Sequence, residues 1–364
     1  MTNLPLTLDC FMTNETTTDT LPSKKSGWII DEKQKTREDF TEYLTNRLMV
    51  CLEMELNYKT GIHDSTIESV SKDEFGVDAT EYGLPECPVC GENDCIRHDP
   101  PKTIRVIRHD STVRGKEIIV WGSPISTEEF AKRLPLENIK KYFVPRPQDS
   151  LHTHTLIPNQ NKAIPIQIAQ NTWQLFRAYY PAWVHIFGNY RKHFLRSNWA
   201  QWKNYQVNAL DTAWWPYACH KFQGGLHFAN CNKDYDGNLS SFDAEIRTQD
   251  ASTNLEQIVS ARALSKAIFL KAAQLSNEGV IEMPEERKEI ILPIIEALNS
   301  GCAKIWREGK RTYDMELESK HGRFMKELAA EFFSQVRPLL SEFEARCVGN
   351  CIANPIRLRR TKFA

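Results

Sequence analysis

The sequence lacks several features by which the function of a chain is commonly recognised. It contains no Gly-rich phosphate-binding loop, no G-x-S-x-G nucleophile motif and no H-E-x-x-H metalloprotease motif. No apolar run approaches the ~20 residues that a membrane-spanning helix needs. The first 20 residues contain neither a basic residue nor the apolar segment of a secretory signal. We therefore expect a cytoplasmic chain with no membrane partner, and the sequence favours a non-catalytic protein.

What is present is typical of a globular protein. The chain has 364 residues, of which 41% are hydrophobic and 26% are charged. This length predicts two or three domains with a substantial core. Ten cysteines in a chain without a predicted signal indicate free thiols or metal ligands in a reducing compartment rather than a disulfide framework.

The net charge of −1 conceals an uneven distribution of charge along the chain. Residues 1–100 carry a net charge of −11, and residues 101–200 carry +9. The 61 residues from 150 to 210 contain no acidic residue, yet they include six basic ones, four histidines and many aromatics. Because local fields rather than totals attract polyanions, the near-zero total does not exclude a nucleic-acid partner.

A helical stripe of aromatics runs through this acid-free segment, from Trp173 to Phe194 at alternating spacings of three and four. Such spacing is typical of a buried helix face, although stacking on unpaired bases is the functional alternative. We expect the stripe to be core and the flanking basic residues to face solvent or phosphate. The predicted nucleic-acid contacts in the whole chain are Arg105, Arg108, Arg114, Lys116, Arg177, Arg191, Lys192, Arg196, Lys203, Arg357, Arg359 and Arg360.

One cluster has the spacing of a metal site: Cys87, Cys90, Cys95 and His98. Cys-x2-Cys followed by Gly forms a tight turn that presents two thiolates to one ion, and the other two residues complete a tetrahedral set. Four protein ligands leave no open position for water, so the sequence predicts a structural Zn²⁺. His109 is a rival to His98 as the fourth ligand.

Three weaker patterns indicate other metal sites. His152-Thr-His154 resembles the metal-binding strand of some endonucleases, and Asp243-x-Glu245 offers paired carboxylates. Asp234 and Asp236 lie in a segment that formally matches an EF-hand loop, although a turn at Asp236-Gly237 explains the same residues. Whether the histidine pair or the Asp234/Asp236 pair binds a second metal stays open at the level of the sequence.

The expected fold class is α+β and predominantly α-helical, with a small zinc-bound module that includes a β-hairpin, a central aromatic-rich helical segment and a C-terminal helical bundle. Periodicity predicts a helix from Thr36 to about Tyr58, strands near 103–108 and 117–121, two short helices after Ser126, and three C-terminal helices, the last kinked at Pro338. The expected boundaries are a flexible N-terminus at 1–30, a mixed domain at 31–149 with the zinc module at 87–98, a basic segment at 150–250, the bundle at 251–346 and a basic tail at 347–364.

These features together favour a non-catalytic nucleic-acid-binding subunit with a structural zinc site. Its setting would be a nucleoprotein complex of replication, transcription or a mobile-element or antiviral system, on single-stranded or guide-type nucleic acid. The C-terminal helices would dock a protein partner. The alternatives are a metal-dependent nuclease that uses His152 and His154 or Asp243 and Glu245, and a protein–protein adaptor without nucleic acid.

Overall fold

The structure is a computed structural model that describes residues 27–77, 79–80, 104–109, 115–120, 126–146, 149–157, 160–188, 226–228, 234, 236–295 and 313–355. Within these ranges helices pack on a large sheet, so the expectation of a mixed helix-and-sheet protein is confirmed. No helix in this part of the chain is long and apolar enough to cross a membrane. The predicted zinc module at 87–98 lies outside the described residues.

The helices are α1 (Thr41–Arg47), α2 (Asp64–Phe75), α3 (Thr127–Arg133), α4 (Leu136–Tyr142), α5 (Ile166–Phe187), α6 (Leu255–Ser276), α7 (285–295), α8 (Tyr313–Val336) and α9 (Glu342–Ala353). The two short helices expected after Ser126 are thus α3 and α4, and the Ser126 side chain caps the first of them. α8 and α9 replace the single kinked helix expected at the C-terminus. They are separate because a 3₁₀ turn at Arg337–Leu339 contains Pro338, which cannot continue the α-helical hydrogen bonds.

The strands are β1 (Ile29–Asp31), β2 (Met49–Tyr58), β3 (Ala79–Thr80), β4 (Ile104–His109), β5 (Gly115–Val120), β6 (Phe143–Val144), β7 (Ser150–Leu156), β8 (Leu226–Phe228), β9 (Asp243–Asp250) and β10 (Val280–Glu282). Eight of them form one sheet in the order β3-β4-β5-β2-β7-β9-β8, with β6 paired to the end of β2. All of these pairs are antiparallel except β3 with β4. The expected hairpin strands near 103–108 and 117–121 are β4 and β5.

Strand β2 corrects the prediction of a helix from Thr36 to Tyr58. Only α1 is helical there, and the chain then continues as a ten-residue strand. Alternation explains the strand: Val50, Leu52, Met54 and Leu56 all lie in the main core, whereas the residues between them point to the opposite face of the sheet. The leucines that appeared to share one helix therefore belong to two elements, the helix α1 and the strand β2, which have different side-chain periods.

Helices α5 and α6 cover the core face of the sheet. In α5 every residue except Gln167 is buried, including the predicted aromatic stripe as far as Phe187, so the expectation of a core stripe is confirmed for this part. The end of the stripe, as far as Phe194, lies outside the described residues. A hydrogen bond of 2.7 Å between the Thr153 and Ser265 hydroxyls joins β7 to α6. With one face of the sheet committed to packing, the polar residues of β2, β7 and β9 that alternate with core residues lie on the other face.

Candidate functional site

Three neighbouring strands at the centre of the sheet place acidic and imidazole side chains on the face opposite the core. β7 lies between β2 and β9, and both pairings are antiparallel. Core residues alternate with polar ones along each strand; in β9, for example, Ala244 and Ile246 are core residues on either side of Glu245. We call the resulting group the carboxylate–histidine cluster; its members are Glu53, Glu55, His152, His154, Asp243 and Glu245.

The register of the strands brings these residues opposite one another. Glu53 of β2 pairs with His152 of β7, and His154 of β7 pairs with Glu245 of β9. Directly opposed residues in an antiparallel pair have Cβ atoms about 4.5–5.5 Å apart. The contacts are therefore a consequence of strand register rather than of loop conformation.

The imidazole and carboxylate atoms of the cluster converge. Nδ1 of His152 lies 3.2 Å from Oε2 of Glu53 and 3.2 Å from Oε1 of Glu245. Nε2 of His154 lies 3.3 Å from Oε1 of Glu53 and 3.7 Å from Oε1 of Glu245. The other nitrogen of His154, Nδ1, lies 3.2 Å from Oδ1 of Asp243.

Three of these residues have the geometry of a cation site. One ligand atom each from Glu53, His154 and Glu245 lies within 4.8 Å of the others. Bonds of about 2.0–2.2 Å to a divalent cation place neighbouring ligand atoms about 3–3.5 Å apart, close to the nitrogen–oxygen distances seen here. Nε2 of His154 is also buried, and its contacts with Glu53 and Glu245 do not have the alignment of regular hydrogen bonds.

The electrostatics of the cluster show how strongly its environment favours positive charge. Burial opposes the charged form of His152, but hydrogen bonds to Glu245 and Glu53 outweigh it and raise the pKa of this imidazole to about 9. Burial is likewise outweighed at His154, chiefly by the charge of Glu53, and its pKa is raised well above the usual range. At partly exposed Glu53, desolvation is outweighed by the two histidines, which hold the pKa of this carboxyl well below its usual value. The carboxylates of the cluster thus favour positive charge at this point of the sheet, and a divalent cation would supply it.

Two arginines flank the cluster on the same face of the sheet. Nη1 of Arg247 lies 2.9 Å from Oε1 of Glu245, and Arg108 forms an ion pair with Glu117 of the neighbouring strand. Both side chains remain about 30% exposed, so each is partly accessible to solvent. Planar guanidinium groups suit phosphate and carboxylate oxygens.

The predicted nucleic-acid contacts fall into different environments. Arg108 is partly exposed and pairs with Glu117, whereas the Lys116 ammonium is buried and lies 2.8 Å from Asp64. Arg177 is only 4% exposed within α5, so the expectation that it faces solvent is wrong. Of Arg105 only the backbone, in β4, is described.

The remaining predicted residues lie outside the described residues. They are the nucleic-acid contacts Arg114, Arg191, Lys192, Arg196, Lys203, Arg357, Arg359 and Arg360, and the zinc ligands Cys87, Cys90, Cys95 and His98. The structure therefore leaves the zinc site and most of the predicted basic surface as predictions.

The possible calcium loop forms a turn. Oδ1 of Asp234 accepts hydrogen bonds from the backbone N–H groups of Asp236 and Asn238, at 3.0 and 2.8 Å. Gly237 has φ near +80°, which a glycine adopts without strain. These contacts agree with the simpler interpretation of the segment as a turn.

The sequence indicated four members of the cluster but missed the two on β2. The histidine pair and the Asp243/Glu245 pair were separate alternatives, and nothing in the sequence showed that they share a site. Glu53 and Glu55 fell inside the predicted helix. Their alternation with Leu52, Met54 and Leu56 was the signal that could have identified them as residues of one sheet face.

Comparisons with known proteins add little to this geometry. No family model matches the chain, and no curated protein matches it. Among solved structures, the chain is similar to the crystal structure of the complex between prokaryotic ubiquitin-like protein Pup and its ligase PafA, with 10% sequence identity and a TM-score of 0.32. The match covers 81% of this chain and 66% of the other, less than two thirds of its length. So low a TM-score assigns neither a fold nor a function.

Proposed function

We propose that this chain is an enzyme that depends on a divalent cation bound by Glu53, His154 and Glu245. The observation that carries the proposal is the convergence of these three side chains from three adjacent strands, with ligand atoms within 4.8 Å of one another. Oxygen and imidazole ligands suit Mg²⁺, Mn²⁺ or Zn²⁺. This proposal departs from the expectation of a non-catalytic protein and lies closer to the alternative of a metal-dependent nuclease, because it keeps a catalytic cation but not the choice of substrate.

A phosphate group is the substrate feature that fits this face of the sheet best. A divalent cation neutralises charge on phosphoryl oxygens, and arginines placed beside it hold the same group. Arg247 contacts the ligand Glu245, and Arg108 lies on the same face two strands from β2, paired with Glu117; both are partly exposed. The proposed chemistry is therefore phosphoryl transfer or phosphate-ester hydrolysis assisted by the cation.

Burial favours a nucleotide over duplex nucleic acid as the source of that phosphate. His152 is 1% exposed and Glu245 is 3% exposed. A terminal phosphate on a flexible chain can reach recessed ligands. The phosphates of an intact duplex lie on the outside of a wide, stiff helix, which cannot enter such a recess. We therefore expect a nucleoside triphosphate, with the end of a single strand as the other source to be tested.

Nucleic-acid binding is a second proposal, favoured by the absence of acidic residues from 150 to 210. Its remaining candidate contacts include Arg191, Lys192 and Arg196. If both proposals hold, the chain is a metal-dependent nuclease that acts on single strands. If both proposals fail, the remaining alternative is a protein–protein adaptor whose basic segment contacts an acidic protein partner.

The experiment uses the purified full chain in Mn²⁺, in Mg²⁺ and in EDTA. Phosphate release from ATP and GTP is measured beside cleavage of end-labelled single-stranded DNA and RNA. We expect cation-dependent turnover of one of these substrates and a loss of at least about 100-fold in Glu53→Gln, which removes one ligand charge. Glu137→Gln, an exposed residue of α4, is the matched control and should behave like wild type.

Two results would contradict the proposal. Equal turnover in EDTA and in Mn²⁺ would show that no cation takes part. Equal turnover by wild type and Glu53→Gln would assign any activity to another site or to a contaminant. Binding of the labelled strands across a salt series, in the same preparations, tests the second proposal separately.

The structural zinc site is a third proposal, and metal analysis separates it from the cluster. We expect one equivalent of Zn²⁺ that survives mild EDTA treatment and is lost in a Cys87→Ser/Cys90→Ser double variant. A Zn²⁺ content below half an equivalent in wild type, and the same content in the double variant, would contradict the proposed zinc site.

A further inference from the structure

A buried serine occupies the end of the cluster nearest the start of β7. The Ser150 hydroxyl donates a hydrogen bond to Oε2 of Glu55, and its oxygen lies 2.8 Å from Nε2 of His152. Ser150 is completely buried, and Glu55 is 3% exposed. These contacts lie on the side of the His152 ring away from Glu53 and Glu245.

The hydrogen bonds of this hydroxyl show that Nε2 of His152 carries a proton. A hydroxyl has one hydrogen, and here it points to the carboxylate. The oxygen can then only accept from His152, so Nε2 carries the proton. Nδ1, which lies 3.2 Å from both Glu53 and Glu245 and hydrogen-bonds to Glu53, is therefore the nitrogen whose proton a cation displaces, and its lone pair then faces the ion.

Asp243 selects the protonated nitrogen of the other histidine, His154, and here that nitrogen is Nδ1 rather than Nε2. Its Oδ1 lies 3.2 Å from Nδ1 of His154, and a carboxylate accepts a proton but has none to give. Nδ1 of His154 is then the protonated nitrogen. Nε2, between Glu53 and Glu245, is then the nitrogen that gives up its proton to a bound cation.

We propose that Ser150, held by Glu55, and Asp243 are positioning residues that select opposite tautomers of the two histidines, so that Nδ1 of His152 and Nε2 of His154 face one cation. The inference rests on the proposed function and adds His152 as a fourth ligand. Two nitrogens and two carboxylates then surround the ion. Such a mixed set favours a first-row transition metal such as Mn²⁺ or Zn²⁺ over Mg²⁺ or Ca²⁺, which prefer oxygen ligands alone.

The first test compares Mn²⁺ affinity, measured by the electron paramagnetic resonance signal of the free ion, in three variants of the full chain. Ser150→Ala should weaken binding about 10- to 100-fold, the usual effect of removing a hydrogen-bond partner of a metal-bound histidine. Ser150→Thr retains a hydroxyl and should restore most of the affinity. Ser69→Ala, on the exposed part of α2, is the control and should match wild type.

The second test is spectroscopic and uses wild type, so it does not depend on whether Ser150→Ala folds. Long-range ¹H–¹⁵N spectra of the Zn²⁺-loaded protein report which nitrogen of each imidazole carries the proton. The two signals are assigned by their loss in His152→Gln and His154→Gln. We expect protonated Nε2 on His152 and protonated Nδ1 on His154.

The outcomes separate this inference from the proposed function. If wild type binds Mn²⁺ and Ser150→Ala binds it equally well, only the role of Ser150 is overturned. If the spectra show protonated Nδ1 on metal-loaded His152, the tautomer assignment is overturned while the cation site stands. If wild type binds no Mn²⁺, the proposed function fails and this inference fails with it.

Discussion

At the scale of single residues, Glu117 shows that ionised carboxylates on this face of the sheet reduce the stability of the folded state. Burial and the nearby charge of Glu53 raise its pKa to about 7, although the ion pair with Arg108 acts in the opposite direction. The folded chain therefore binds a proton that the unfolded chain releases at about pH 4.5. Because the folded state holds more protons between these two values, stability falls as the pH rises through this window.

Glu117→Gln should consequently stabilise the cation-free protein at alkaline pH. Glutamine keeps the shape of the protonated side chain and cannot ionise. In EDTA, we expect the variant to exceed wild type in free energy of unfolding by on the order of 1 kcal/mol at pH 8 and by much less at pH 5. Urea denaturation at the two pH values measures this, with the exposed Glu137→Gln as control. A variant that is less stable than wild type at pH 8 would contradict the assignment.

The sequence was most informative about residue types and least informative about partners. His152, His154, Asp243 and Glu245 were recognisable as potential ligands because each pair repeats at a spacing of two, which puts both members on one face of a strand. Their meeting depends on the register between β7 and β9, whose residues are about 90 positions apart. No local pattern encodes that pairing.

At the scale of elements, strand β2 contributes Glu53 and Glu55 to the site. The sequence pattern had predicted a helix for this segment. Leu44, Leu48 and Leu52 repeat every four residues, which favours one helix, but the chain changes from helix to strand after Arg47. Long uniform elements were easier: α5 and α6 have sustained apolar periodicity and were expected. Elements whose period changes within ten residues are the ones that tertiary packing determines.

The short strand β10 depends on one buried side chain of α5. Asn171 donates hydrogen bonds of 2.9 Å to the Ser276 hydroxyl and the Gly279 carbonyl, and it accepts one of 2.8 Å from the N–H of Ile281. β10 in turn pairs with β1. Through β10, this amide helps to join the N-terminal strand β1 to the helical layer.

Asn171→Ala should destabilise the protein by about 2–4 kcal/mol, because it leaves buried polar groups without partners. Urea denaturation measures the loss. Asn161→Ala, at an exposed position whose side chain accepts a bond from Tyr43, is the control and should change stability by less than about 1 kcal/mol. A loss as small as that of the control would show that β10 is held by other contacts.

At the scale of the whole molecule, one hydrophobic core joins segments that the sequence assigned to different domains. Its members run from Phe40 to Ile352 and include β2, α5, α6 and α9. The expected boundaries at 149/150 and 250/251 fall between strands or helices of this shared core. Composition marked changes in surface charge along the chain, and surface charge does not specify which segments pack together.

The shared core predicts cooperative unfolding of the full chain. Far-ultraviolet circular dichroism, which reports helices, and tryptophan fluorescence should follow coincident urea transitions with the same midpoint. Two transitions at separate midpoints, with the helical signal lost first or last, would instead support an independent C-terminal bundle.

The central claim is that three strands build a cation site, and binding of Mn²⁺ tests it most directly. Titration of the metal-free full chain, followed by the electron paramagnetic resonance signal of free Mn²⁺, should show about one equivalent bound. That equivalent should disappear in a Glu53→Gln/His154→Gln double variant and persist in Glu137→Gln. Absence of binding by wild type, or equal binding by the double variant, would contradict the account.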